Sequence, residues 1–264
     1  DNIVYVFVNQ SSAGAISFNA TPVKILVTGA DSSYGLDVQD LDGDMKPEII
    51  INQFRSNNVF ILKNKSTSQI SFAAPLRITL FGFSNTLTTA DLNKDGLLDI
   101  IVCGTFENTM SVIMNQSTVG NISFKTPTSF ATSTRPAGID VSDIDGDSDV
   151  DIIVANQQDK FLNVFLNDGS ASPSFTRSDI GTAKFSLNLK VGDLDGDAKP
   201  DIAFTSLASP TGPFSLDILR NTNCVSPKIL NPTPTFICAG QTIALQATPA
   251  IGVGVTYEWK EGAN

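Results

Sequence analysis

Histidine is absent from this 264-residue sequence. Its absence removes most zinc-hydrolase chemistry and every Ser-His-Asp or Cys-His arrangement. Cysteine is scarce: Cys103, Cys224 and Cys238 are too few for a disulfide framework and wrongly spaced for zinc. Cations are outnumbered, 17 Lys and Arg against 27 Asp and Glu, giving a formal net charge of −10 and a pI near 4.4. Phosphate backbones demand a basic surface, so no nucleic-acid partner is expected. No run of eighteen apolar residues occurs, so no membrane span is expected in this chain. The opening DNIVYVFVNQ holds no initiator Met, basic region or cleavage motif. No signal peptide is read there, and the sequence is expected to be cut from a longer chain. With 41% apolar and 17% charged residues it has the composition of a folded, soluble protein.

What is abundant is aspartate, and it is periodic. DLDGDMKPE starts at Asp40, DLNKDGLLD at Asp91, DIDGDSDVD at Asp143 and DLDGDAKPD at Asp193, so the starts lie 51, 52 and 50 residues apart. Each copy follows an alternating segment (YGLDV, NTLTT, PAGIDV, LNLKV) and precedes a short apolar run (EIIIN, DIIVCG, DIIVAN, DIAFTS). A second β-rich run then closes on Asn (NVFILKN, MSVIMN, LNVFLN, SLDILRN). A Ser-Phe pair follows at Phe72, Phe124 and Phe175. No helical period appears, and each unit reads as four short strands separated by turns. A period near fifty with four strands per unit predicts an all-β protein, a β-propeller of four-stranded antiparallel blades. A solenoid repeat is usually shorter, and a sandwich would not place one acidic loop at the same point of every unit.

The ends depart from the period. Residues 1–27 match only the third and fourth strands of a unit, and the last unit stops at Asn221 without its Ser-Phe strand. The blades are therefore assigned to 1–222, about four to five of them, and are expected to form an open arc with apolar end faces. Val4, Val6 and Val8 would mark one face, and Ile202, Phe204, Leu216 and Ile218 the other. Residues 223–235 read as a Pro-rich linker. Residues 236–264 alternate apolar and polar residues and carry the only Trp, Trp259, as the truncated start of a β-sandwich domain.

Within each acidic loop, oxygen-bearing side chains fall at positions 1, 3, 5 and 9, with a backbone carbonyl available at position 7. Asp40, Asp42, Asp44, Lys46 and Glu48 fill these places in loop 1; Asp91, Asn93, Asp95, Leu97 and Asp99 fill them in loop 2. Loop 3 has Asp143, Asp145, Asp147, Asp149 and Asp151, and loop 4 has Asp193, Asp195, Asp197, Lys199 and Asp201. Hard oxygen ligands at this density suit calcium, one ion per loop and about four in all; magnesium retains more water and needs fewer protein oxygens. A helix-flanked calcium hand needs a bidentate Glu at position 12, where this chain has Ile51, Val102, Val154 and Phe204. The ligand positions hold fifteen of the 27 acids, so the rest of the chain is net positive. Plain solvated turns also favour Asp and Gly, but they do not require four oxygen positions in register through every copy. The extra carboxylate of Asp149 is expected to face water.

These loops resemble the D-x-[DN]-x-D-G-x-x-D calcium loops of the integrin α-subunit FG-GAP propeller and its bacterial VCBS-type relatives, over residues 1–222. The resemblance implies loops between the first two strands of each blade, and rings that commonly have seven blades. Only loop 2 has that family's glycine at position 6 (Gly96); the others have Met45, Ser148 and Ala198 there and glycine at position 4 (Gly43, Gly146, Gly196). The tail from Phe236 resembles the Ig-like or PKD-like modules of large bacterial surface proteins.

Two functions compete on these observations. One is a non-catalytic calcium-binding recognition or adhesion module of a secreted or cell-surface protein, with an extracellular protein or a glycan as ligand. The other is a polysaccharide-active lyase or hydrolase, or a lectin, on the same scaffold. An enzyme would need an acid-base pair in a cleft. The acids outside the loops, Asp37, Glu107, Asp140, Asp159 and Asp217, recur at no catalytic motif. Asp37 and Asp140 each stand three residues before a loop, which suits a structural role in the repeat. The N-x-[ST] sites at Asn9, Asn19, Asn64, Asn115 and Asn121 mostly fall at repeat-determined strand ends. Cys103 reads as a small buried residue. Cys224 and Cys238 flank the linker, free either to pair or to take other partners.

Overall fold

The computed structural model describes residues 3–27, 33–53, 57–209 and 212–222; the linker assigned to 223–235 and the Ig-like segment at 236–264 lie outside them. The chain divides between Asn221 and Thr222, and the described residues belong almost entirely to the first unit. It is all strand. β1 (Ile3–Val6) and β2 (Val23–Leu26) form a two-stranded sheet. The second sheet has β3 (Ser33–Gln39), β4 (Glu48–Gln53), β5 (Asn58–Leu62) and β6 (Leu76–Thr79) in that order. The third has β7 (Ser84–Ala90), β8 (Asp99–Gly104), β9 (Thr109–Ile113) and β10 (Thr128–Ala131). The fourth has β11 (Pro136–Ser142), β12 (Asp151–Asn156), β13 (Phe161–Asn167) and β14 (Phe175–Gly181). The fifth has only β15 (Phe185–Gly192), β16 (Asp201–Leu207) and β17 (Phe214–Leu219). All pairings are antiparallel meanders, so the unit is a set of propeller blades of two, four, four, four and three strands.

The second strands explain their own sequences. β4, β8 and β12 are buried along their whole length, because each face meets a different neighbouring sheet. In β8, Ile100 and Val102 join a cluster with Ile50, Val59 and Ile61 of the preceding sheet. Ile101 and Cys103 join one with Ile152, Val154 and Phe165 of the following sheet. A strand covered on both faces reads as a continuous apolar run rather than an alternation. Equivalent clusters link β1–β2 to the second sheet and the fourth sheet to the fifth. Packing thus runs from each sheet to the next in chain order, and among the described residues no core cluster joins the first sheet to the last.

Two expectations need correction. Val4 and Val6 point inward onto the second sheet; the exposed residues of β1 and β2 are Tyr5, Lys24 and Leu26, and of the three valines only Val8, just beyond β1, is exposed. Likewise Ile202 and Phe204 are buried against the fourth sheet, leaving Phe214, Leu216 and Ile218 as the exposed apolar residues of the last. Strand alternation separates two faces but does not say which face has a neighbour. The Ser-Phe pairs are also displaced: Phe18, Phe72 and Phe124 make single bridges opposite Asn9, Asn64 and Asn115, and the fourth strand begins beyond them. Only β14 starts on its phenylalanine, opposite Asn167.

Candidate metal centres

Each acidic loop joins the first strand of a sheet to the second, and the loops share one backbone conformation. Positions 4 and 6 have positive φ in all four: Gly43 at 73° and Met45 at 64°, Lys94 at 58° and Gly96 at 85°, Gly146 at 83° and Ser148 at 75°, Gly196 at 83° and Ala198 at 64°. Glycine takes one of these left-handed positions in every loop, and a residue with a Cβ takes the other. The glycine therefore moves between positions 4 and 6 while both positions keep positive φ.

Side chains hold this curl. The position-1 carboxylates of Asp40, Asp143 and Asp193 each accept the backbone N–H groups of positions 4 and 6. Asp91 accepts instead from Asp95 and Gly96. Position 5 accepts the N–H of position 7 in all four, from Lys46, Leu97, Asp149 and Lys199 at 2.8–3.0 Å.

Position 9 is different in kind. Glu48, Asp99, Asp151 and Asp201 are buried, and both oxygens of each accept a backbone N–H. One comes from position 2 of the loop (Leu41, Leu92, Ile144, Leu194). The other comes from the Asn that ends the third-strand run (Asn64, Asn115, Asn167, Asn221). These carboxylates pin the loop to the blade as well as facing it. Burial pushes the pKa of Asp99 and of Asp151 up to about 6 against the pull of those N–H donors, and it raises Glu48 in the same way. Holding the cluster ionised is costly in the chain alone.

The oxygens converge. One carboxylate oxygen from each of Asp40, Asp42 and Glu48 lies within 4.8 Å of the others, as it does in Asp143, Asp145 and Asp151, and in Asp193, Asp195 and Asp197. In loop 2 the Asn93 amide donates to Asp95 Oδ2 at 2.9 Å. The donor set is all oxygen, which suits a hard divalent cation; Asp44, Asp147 and Asp201 lie outside these three groups, and among the described residues loop 2 forms none.

Three features were not legible beforehand. Lys63, the residue before Asn64, reaches Asp42 at 2.5 Å. Arg220, the residue before Asn221, reaches Asp195 and Asp197. Asp149 does not face water: it pairs with Lys94 of loop 2 at 2.5 Å, tying two successive loops together.

The remaining acids are occupied locally. Asp37 accepts from the Thr89 hydroxyl, and Asp140 from Val191 N–H and Lys190, so each ties its first strand to that of the next sheet. Glu107 accepts Phe83 N–H, Asp159 accepts Thr134 N–H, and Asp217 pairs with Lys184 at 2.6 Å. An open groove lined by 23–26 and 70–75 contains no carboxylate. Asn115 is 2% exposed with its amide on the Leu41 and Leu98 carbonyls, and Cys103 is a buried free thiol whose pKa is pushed up by burial.

Residues 40–102 and 143–204 match the FG-GAP-like repeat family. Each match begins on the first aspartate of a loop and spans two loops, so the chain carries FG-GAP-like repeats. No curated protein matches the chain. Among solved structures it is similar to the crystal structure of BBS1N in complex with ARL6DN, soaked with lead, at 14% identity and a TM-score of 0.46, covering 74% of this chain and 58% of that one. It is also similar to a mutant of the Photorhabdus luminescens Tc holotoxin pore, at 14% identity and a TM-score of 0.40, covering 85% of this chain and 11% of that one. The chain thus spans less than two thirds of the length of either.

Proposed function

We propose that this chain of FG-GAP-like repeats is a non-catalytic calcium-binding recognition module of a secreted or cell-surface protein, with each loop's calcium stabilising its blade. The observation that carries this reading is the convergence of carboxylates in one loop conformation repeated along the chain. The ligands are the side chains at positions 1, 3, 5 and 9 with the carbonyls of Lys46, Leu97, Asp149 and Lys199. When bound, calcium supplies positive charge that offsets the mutual repulsion and burial of these carboxylates. The protein's own part is to hold the oxygens together through the position-9 clamp and the two left-handed residues. Loops of this simple kind suit the millimolar calcium found outside cells. The module's ligand is an extracellular protein or a glycan, recognised by surfaces whose geometry the calcium loops keep rigid.

Calorimetric titration with calcium tests the metal, with about four sites expected and fewer than two contradicting the reading. Protein and glycan binding screens, run with calcium and again in chelator, test recognition. Calcium-dependent capture of a defined protein or glycan supports it. Turnover of a polysaccharide instead would contradict the non-catalytic assignment.

A further inference from the structure

The residue just before each clamping asparagine divides the four loops into two kinds. It is Lys63 beside loop 1 and Arg220 beside loop 4, but Met114 beside loop 2 and Leu166 beside loop 3. In every case the position-9 carboxylate holds the N–H of the asparagine, so the preceding side chain starts from the same place. Met114 and Leu166 pack against apolar clusters between the sheets and bring no charge to their loops. Lys63 extends to position 3 of loop 1, its Nζ 2.5 Å from Asp42 Oδ2. Arg220 extends to positions 3 and 5 of loop 4, Nε to Asp195 and Nη2 to Asp197 at 3.1 Å. Both cations land on side chains at ligand positions. Lys94 does not, because its partner Asp149 stands at position 7, where the backbone carbonyl is the ligand.

The two pairs differ in burial. The Asp42 side chain has no exposed surface, and Lys63 keeps 20% of its own. A carboxylate so placed needs a partner charge to offset its lost hydration. Lys63 supplies that charge from within the chain. Arg220 is 58% exposed, so water and salt weaken its pairing. Position 7 divides the loops in the same way: it is Lys46 and Lys199 in loops 1 and 4, but Leu97 and Asp149 in loops 2 and 3.

We propose that Lys63 and Arg220 are tethered counter-ions that take over part of calcium's charge, so that loops 1 and 4 keep their form at low calcium while loops 2 and 3 depend on the ion. This rests on the calcium reading above and deepens it. A divalent ion entering loop 1 meets a unit positive charge already seated on one of its ligands. It must push the ammonium aside or share Asp42 with it. The tethered cation thus has two effects of opposite sign: it weakens the site for calcium and stabilises the blade without calcium. Loop 1, with the buried pair, carries the larger effect.

Replacing each cation by methionine, the residue at the equivalent place beside loop 2, tests both signs. Lys63→Met tightens loop 1 about tenfold in a calcium titration followed by the NMR signals of the loop amides. In excess chelator the same variant melts several degrees below the parent, and the gap closes in millimolar calcium. Arg220→Met moves both readouts in the same directions and by less. The reciprocal variant Leu166→Lys brings an ammonium to loop 3, weakens its calcium site and shrinks the fall in Tm caused by chelator. A Lys63→Met chain whose calcium affinity is unchanged or weaker, or whose melting in chelator matches the parent, overturns the proposal while leaving the calcium reading intact. Parent and variant that both fail to bind calcium overturn that reading and this proposal together.

Discussion

Asn167 donates from its amide to the Leu92 carbonyl at 2.8 Å, across 75 residues of chain. The same amide reaches the Val150 carbonyl of its own loop at 3.1 Å, and its backbone N–H lies on Asp151. One side chain thus fastens its own acidic loop and the preceding one. Replacing it by alanine strands two buried carbonyls, so Asn167→Ala is expected to cost about 2 kcal/mol. Asn9→Ala, ahead of the first acidic loop, is expected to stay within about 0.5 kcal/mol. Urea unfolding of the two variants measures the difference.

Loop 3 is expected to bind calcium most tightly. It presents carboxylates at all four side-chain ligand positions, and among the described residues no basic side chain pairs with them, Lys94 being held by Asp149, whereas Lys63 sits on Asp42 and Arg220 on Asp195 and Asp197. Loop 2 has Asn93 in place of a carboxylate. Asn93→Asp therefore tightens loop 2, and Arg220→Met tightens loop 4 several-fold by removing a competing cation. Site-resolved titration checks both, and an unchanged affinity in either contradicts the charge argument.

The left-handed loop positions make a paired prediction. An added Cβ at Gly196 meets nothing within 4 Å, so Gly196→Ala tests backbone strain alone at φ +83°. It is expected to destabilise by about 1 kcal/mol. Ala198→Gly, at φ 64°, removes strain and is neutral to slightly stabilising after the unfolded-chain entropy of glycine is counted.

The repeat, the four strands per blade and the ligand positions were legible because aspartates two apart recur every fifty residues between apolar runs. The left-handed conformation at both Lys94 and Gly96 was not, because a glycine at one place hides the shared geometry of the other. Nor was the destination of Asp149. It lies next to loop 3 ligands in sequence, but its partner Lys94 belongs to another blade. The end faces were legible only in part: Val8, Leu216 and Ile218 are exposed as expected, but Val4 and Tyr5 alternate, and only the packing of the second sheet decides which of them is covered.

Acid titration probes the blade joints away from the loops. The Arg177 guanidinium at 2.8 Å, with help from Asn163, holds the Asp179 carboxyl below its ordinary range. A depressed folded-state pKa contributes stability that is present above the unfolded value and lost as pH falls through the folded one. Asp179→Asn is expected to cost less than about 1 kcal/mol at neutral pH. The gap from the parent should close below the ordinary carboxylate pKa of about 3.9. A gap that widens on acidification would be inconsistent with this pairing.

The most direct measurement is the melting temperature of the chain in millimolar calcium against excess chelator. A ligand bound only by the folded state adds about 2.7 kcal/mol per site at a hundredfold excess over its dissociation constant. Chelation is therefore expected to lower Tm by many degrees, with calcium but not sodium restoring it. Superimposable melting curves in calcium and in chelator would show that the acidic loops are ordinary turns and would contradict the account.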